Sequence, residues 1–556
     1  MAALAILGFT WYGWGHWGYG VISDYSLDIT DALRLFQGDV PYRDFIPTYG
    51  PLHMVLAAPF FYLGKWCFPT FWILTSLLIF LQMILLLRCG SKLLPPFWQF
   101  VLLALAISTM VFIPSNSKFI MGYSPSGFLA TFLFTIVLVL LCHPIPSCKR
   151  WWMAGICMGL TIFTKIDLGF TSIALLITLV VIWHRETLLP TLCLVAGYVG
   201  TWIAGCGLLL LYGAQPSLLS GSTLECFGQA VLFSDINLSL RIKILLFLGG
   251  CLAVLLLLST TRRQTLRLES LFRPWAVWIL PVSILADSLR AMYNDPLKQM
   301  VLLNWYSIGV FTLIGAHVTA VILRKKSLRL FRSSKLVILT PLLVIAGMGI
   351  LRVLGASWYP LNYFKPAVLI LGILWAARQA CHASDFSRRW ITITMGLCLI
   401  LSLHSAAKGC RPQPGSLEWI QTPFGAVGFT LGSRQYKTYT QLIDRLQEFP
   451  DKNMLLCTYE PSLHLLSGMR SPALYTFFSR LGSSGDYMEE REILTLQLIQ
   501  KAPPDYIVQD LEAGLVHKRF GVAFGREIEN YIRKNYIFAA EFNGKTLLRK
   551  KTLSND

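Results

Sequence analysis

Residues 188–212 read LLPTLCLVAGYVGTWIAGCGLLLLY, without a single charged side chain. A helix rising ~1.5 Å per residue over that length crosses the ~30 Å hydrocarbon layer of a bilayer. Outward from this run, comparable apolar segments recur in both directions, over 3–22, 66–87, 97–114, 125–142, 243–260, 275–293, 300–323, 336–354, 364–377 and 390–406. Residues 51–65 form a short helix of their own or lengthen the segment after them. The runs 151–164 and 168–183 are short for a bilayer and read as two helices meeting at Lys165 and Asp167. The pattern predicts an all-α polytopic membrane domain over 1–406, with thirteen crossings. Composition agrees: of 556 residues, 55% are hydrophobic and 14% charged, where a soluble chain carries about a quarter. The mean hydropathy is +0.57. A cytosolic enzyme, a secreted disulfide scaffold and a disordered hub are thereby excluded.

The net charge of +19 does not imply a nucleic-acid partner. The bases cluster in short loops between apolar segments: Arg262, Arg263, Arg267 and Arg273; Arg324 through Lys335; Arg378, Arg388 and Arg389. That is the distribution of cytoplasmic loops. With those loops inside, 23–50, 214–242, 294–299, 355–363 and everything after 406 lie outside. The first span has no Lys or Arg before Arg34, which suggests a mis-set start codon or a lost N-terminus. Most of the 13 cysteines fall in apolar segments, without CxxC pairs or metal-site spacing.

From about 407 the composition turns mixed and charged, holding 16 of the 29 acids. Helical stretches (437–449, 487–502, 524–535) alternate with short apolar strands at Met454–Cys457, Tyr506–Val508, Ile537–Glu541 and Thr546–Leu548. This reads as a small soluble α/β domain over 407–556, outside the membrane. It carries no phosphate loop, GxSxG or HExxH motif.

Five of the thirteen acids before 407 lie between Ser23 and Gly50: Asp24, Asp28, Asp31, Asp39 and Asp44. Asp24, Asp28 and Asp31 follow i, i+4, i+7, so a helix over 25–37 carries them on one face, and Gly38 stops it. Two readings compete. One is a carboxylate at the outer membrane boundary serving as general base or cation ligand. The other has Asp24 or Ser23 capping the helix while the remaining aspartates face water.

The stretch from Asp24 through Gly38 to Pro41-Tyr42-Arg43-Asp44, followed by Tyr49-Gly50-Pro51-Leu52, resembles the first outer loop of GT-C membrane glycosyltransferases. The likeness is to the protein-mannosyltransferase and aminoarabinose-transferase type, glycosyltransferase family 39. Gly155 through Lys165 (GICMGLTIFTK) resembles that family's glycine-rich short helix ending in Thr-Lys. Arg352 before Tyr363-Phe-Lys365-Pro366 resembles its late arginine-bearing outer loop. This chain departs from the family at Asp24-Tyr25, where Asp-Glu is common, and at Thr48-Tyr49-Gly50-Pro51.

The resemblance implies a polyprenyl-phosphate sugar donor and a lipid, glycan or protein acceptor. It implies Asp24 as base, with Asp28, Tyr42, Arg43, Asp44, Lys165, Arg352 and Lys365 as substrate contacts. Such chemistry needs a base for the acceptor hydroxyl and cations for the departing phosphate. Each cation has a plainer role available, snorkelling to lipid headgroups, and Arg290 and Lys298 are weaker candidates. The aromatics Trp11, Tyr12, Trp14, Trp17 and Tyr19 read as an interfacial belt. His16 and His53 read as structural. No divalent cation is required, though Asp24 with Asp28 could hold one. A bacterial inner or plasma membrane is the expected location. The alternatives are a transporter or lipid flippase, a polysaccharide polymerase or ligase, and an inactive scaffold.

Overall fold

The computed structural model describes residues 24–107, 125–141, 147–183, 188–220, 280–286, 341–348, 361–381, 385–409, 417–430, 434–447, 453–458, 462–475, 488–510 and 525–551. The expected spans 3–22, 243–260 and 300–323 lie outside them, and those at 97–114, 275–293 and 336–354 are covered in part. Arg290, Lys298, Arg352 and the N-terminal aromatics also lie outside.

Helix α1 spans Asp24–Phe36, as the acidic periodicity predicts. It ends where Gly38 takes φ +94°, a left-handed conformation that glycine adopts without steric cost. After the loop, α2 (Leu52–Ala57) runs into a 3₁₀ segment, Ala58–Trp66, kinked at Gly64 (φ 54°). The short-helix alternative for 51–65 is therefore the one observed. Then come α3 (Cys67–Gly90), α4 (Pro96–Ala106), α5 (Pro125–Leu141), α6 (Cys148–Thr164), α7 (Ile166–Trp183) and α8 (Leu188–Leu211). Later in the chain are α9 (Leu361–Cys381) and α10 (Asp385–Gly409). Among the described residues, Leu188–Leu211 is long and apolar enough to cross a membrane by length and composition. Shorter apolar stretches include Leu77–Gly90, Pro96–Ala106 and Ser126–Leu141.

Beyond α10 a hairpin appears that the sequence did not announce, β1 (Leu417–Thr422) and β2 (Gly425–Thr430). Its turn is pinned by tertiary contacts, because the Phe424 ring meets Phe61 edge-on at 4.8 Å. The Phe68 amide also donates to the Phe424 carbonyl at 3.2 Å. The remaining elements are α11 (Arg434–Gln447), β3 (Met454–Cys457), α12 (Ser462–Ser467), α13 (Met488–Lys501), β4 (Tyr506–Asp510), α14 (Arg526–Asn535), β5 (Tyr536–Phe542) and β6 (Lys545–Lys550). They enclose a four-stranded sheet of order β3-β4-β6-β5, in which β3 and β4 are parallel and the other pairs antiparallel. Every residue of β3 is buried, as suits a strand covered on both faces.

The buried core is not divided at residue 407. One apolar cluster runs from Leu33 and Phe45 through the helices to Val427, Tyr439 and Met454. A second joins Tyr42 and Ile46 of the acidic loop to Leu455, Ile507 and Ile528 of the sheet and its helices.

Candidate functional site

The acidic face of α1 points inward. Asp28 and Asp31 are both fully buried, which corrects the reading in which these aspartates face water. A buried carboxylate needs donors. Asp28 Oδ2 accepts the Ser126 amide at 2.7 Å, at the start of α5. Asp28 Oδ1 stands 3.4 Å from Nε2 of the buried His53 on α2. Asp31 Oδ2 accepts the Thr48 amide at 2.8 Å. Asp24 opens α1 one turn ahead of Asp28, and its side chain is outside the described residues.

The segment Thr48-Tyr49-Gly50 ties this face to a second buried charge. Lys165 is the single residue between α6 and α7, with extended backbone (φ −152°, ψ 106°), so the two helices meet where the sequence predicts. It is 3% exposed, and its ammonium lies 3.7 Å above the Tyr49 ring. The next residue, Gly50, donates its amide to the Thr164 carbonyl at 3.2 Å. A methyl on Gly50 would collide with the Phe163 carbonyl, so no larger residue fits the end of α6 there. One short loop thus holds an aspartate with the Thr48 amide, a lysine under the Tyr49 ring, and a helix end with the Gly50 amide. The carbonyl end of α6 itself favours a cation.

The turn at Pro41–Asp44 is a built corner. Tyr42 is buried and holds φ 60°, unusual for a bulky residue. Two hydrogen bonds keep it there, Tyr42 N to Phe45 O at 2.7 Å and Gln215 N to Tyr42 O at 2.9 Å. Arg43 pairs with Asp44 at 2.7 Å, and Asp44 also accepts the Val40 amide at 2.8 Å. Burial pushes the Asp44 carboxyl up, but the Arg43 guanidinium and the Val40 amide outweigh it, leaving the group below its ordinary range. The hydrogen bond to Asp44 raises Arg43 in turn.

A further network joins the loop to the C-terminal region, and nothing in the residue spacing points to it. Buried Arg34 donates to Asp39 at 2.9 Å and to the Ala473 carbonyl at 2.6 Å, with its guanidinium 4.4 Å over Phe45. Asp39 also pairs with Arg470 at 3.0 Å. Gln37 donates to the Gly468 carbonyl at 2.9 Å.

Of the residues expected at the site, Asp28 and Lys165 are both buried. Asp28 meets Ser126 and His53, while Lys165 meets the Thr48–Gly50 loop, which holds Asp31 from the same face of α1. Tyr42, Arg43 and Asp44 form the corner beside the end of α8. Lys365 lies in α9 with its side chain outside the described residues, and Arg352 lies outside altogether. His53 and Tyr49 join the site without having been expected there. Among the described residues, no three His, Cys, Asp or Glu side chains are placed to share a metal.

No protein-family model matches the chain, and no curated protein does. Among solved structures the chain is similar to the apo oligosaccharyltransferase of Archaeoglobus fulgidus, at 11% identity and TM-score 0.47 over 92% of this chain and 69% of that one. It is also similar to ArnT from Cupriavidus metallidurans bound to undecaprenyl phosphate, at 11% identity and TM-score 0.47 over 99% and 97% of the two chains. The same oligosaccharyltransferase tethered to an acceptor peptide gives 10% identity and TM-score 0.48, over 99% and 74%.

Proposed function

We propose that this chain is a multi-pass membrane glycosyltransferase that moves a sugar from a polyprenyl-phosphate donor to an acceptor on the outer face of the membrane. The proposal includes thirteen crossings in a bacterial inner or plasma membrane, with residues 407–556 on the outer side. The observation that carries it is the inward acidic face of α1. Two carboxylates of that face are buried and held by the Thr48 and Ser126 amides, and a buried lysine at a helix break meets Tyr49 of the same loop as Thr48. A solvent-facing capping helix has no need of such burial, which costs several kcal/mol per unsatisfied charge.

In this reading Asp24 takes the proton from the acceptor hydroxyl as its oxygen attacks the anomeric carbon. The bond from that carbon to the phosphate oxygen breaks, and polyprenyl phosphate leaves with the electron pair. Lys165, Arg352 and Lys365 meet the growing negative charge on the phosphate. Arg352 supplies the bidentate fork that suits a phosphate. Asp28, with the corner at Tyr42, Arg43 and Asp44, shapes the acceptor side, where the acceptor is a lipid, glycan or protein hydroxyl.

Asp24→Asn tests the assignment. Asparagine caps a helix about as well as aspartate but takes no proton at neutral pH. The variant is expected to fold and bind donor while transfer of labelled sugar falls about 10²–10⁴-fold, the usual size of general-base assistance. Full transfer by the purified, lipid-reconstituted variant would end the catalytic assignment. The helix break at Lys165 is the one observation that also fits a transporter, where interrupted helices line binding sites. Labelled sugar that crosses the bilayer without entering a product would favour that reading.

A further inference from the structure

Helices α6 and α8 meet backbone to backbone. A methyl on Gly155 would collide with the Leu194 carbonyl and stand 2.9 Å from the Tyr198 amide nitrogen. A methyl on Gly197 would collide with the Trp152 carbonyl and stand 3.2 Å from the Ile156 amide nitrogen. A methyl on Gly159 would stand 2.8 Å from the Thr201 Cβ and 3.0 Å from the Tyr198 carbonyl oxygen of α8. Small residues four apart permit this approach. Gly197 therefore sits between residues 152 and 156. One turn toward the start of α8 is Cys193, and the matching gap one turn earlier on α6 is framed by Cys148 and Trp152.

The register thus seats Cys193 against Cys148. Both are free thiols and both are half-buried, so a small reagent reaches them. Disulfides require Cα atoms within ~7 Å, a separation that two helices in backbone contact provide. Lys149 and Arg150 follow Cys148 directly and attract an anionic reagent.

We infer that Cys148 and Cys193 are an oxidisable dithiol that closes to an intramolecular disulfide on exchange with a low-molecular-weight disulfide such as oxidised glutathione. The Cys148 thiol gives its proton to water, and its sulfur attacks one sulfur of the reagent. The reagent's S–S bond breaks, and the first glutathione leaves as a thiolate. Cys193, likewise deprotonated, attacks the Cys148 sulfur of the mixed disulfide and expels the second glutathione thiolate. Two protein thiols are oxidised, one reagent disulfide is reduced to two thiols, and the protons end on those products. The product ties α6 to α8 at the end of α6 remote from Lys165.

The test treats the full-length chain in lipid with oxidised glutathione, digests it without reduction and maps linked peptides by mass spectrometry. The expected result is a Cys148–Cys193 peptide that disappears on reduction, with both thiols lost together to alkylation. In Cys193→Ser the mixed glutathione disulfide at Cys148 is expected to persist, because the second sulfur that resolves it is gone. Independent alkylation of the two thiols after oxidation, or stable glutathione adducts on both in the parent chain, would overturn the inference. So would linkage of either one to Cys157, half-buried elsewhere on α6.

Discussion

At the scale of single residues, the decisive fact is that Asp28 and Asp31 act as buried acceptors. Removing either carboxylate orphans a backbone amide, Ser126 or Thr48 respectively. A buried donor left unpaired costs about 1–3 kcal/mol. Asp28→Ala and Asp31→Ala are therefore expected to lower the thermal unfolding midpoint of the detergent-solubilised chain. Asp28→Asn and Asp31→Asn keep an acceptor and are expected to lower it less. If the alanine variants melt with the parent, the two carboxylates hold nothing in place. The same pair separates structural from catalytic loss, because Asp24→Asn is expected to lose transfer without losing stability.

At the scale of elements, the break between α6 and α7 places a cation where no continuous helix would. Lys165 is buried against the Tyr49 ring at the carbonyl end of α6. A desolvated cation–π contact is worth about 2 kcal/mol or more, so part of the lysine's role is to hold the loop. Lys165→Met keeps the aliphatic stem and removes the charge. If the ammonium also meets the donor phosphate, this variant saturates with donor only at higher concentration. A donor saturation curve identical to that of the parent would leave Lys165 with the structural role alone.

Across the whole molecule, the acidic loop and the C-terminal region are joined by ionic contacts of unequal weight. Arg34 is buried between Asp39 and the Ala473 carbonyl, whereas the Arg470 side chain is 53% exposed in its pair with Asp39. Arg470→Ala is expected to cost about 0–1 kcal/mol, as solvent-screened pairs do. Arg34→Ala, which leaves Asp39 without its buried partner, is expected to cost about 3–5 kcal/mol. Equal unfolding midpoints for the two variants would refute this ranking.

The same interface contains His464 of α12, whose Nδ1 lies 3.2 Å from the Met469 carbonyl. Burial first, and then the charge of Arg34, push this imidazole down from 6.5 to about 3. Between those two values the unfolded chain binds the extra proton and the folded chain does not. Stability should therefore fall as pH drops from about 6.5 toward 3 and be unaffected by this group above that window. His464→Gln should flatten the slope of midpoint against pH there. An unchanged slope would assign the acid sensitivity to other groups.

The sequence by itself determined what depends on neighbours a few residues apart. The bounds of α1, its stop at Gly38, the meeting of two short helices at Lys165 and the strands from Met454 onward all follow from local periodicity and turn chemistry. Periodicity puts Asp24, Asp28 and Asp31 on one face, but it does not say whether that face meets water or the core. Only the tertiary structure decided this, because the groups that make burial tolerable come from far along the chain. The Thr48 amide is 17 residues from Asp31 and the Ser126 amide is 98 from Asp28. Arg34 finds the Ala473 carbonyl across 439 residues. The hairpin at 417–430 escaped in part for the same reason: Thr422 closes its turn locally, but the turn is also held by Phe61 and Phe68 from far along the chain. A buried charge is stable only where donors and acceptors converge on it, and that convergence belongs to the folded chain.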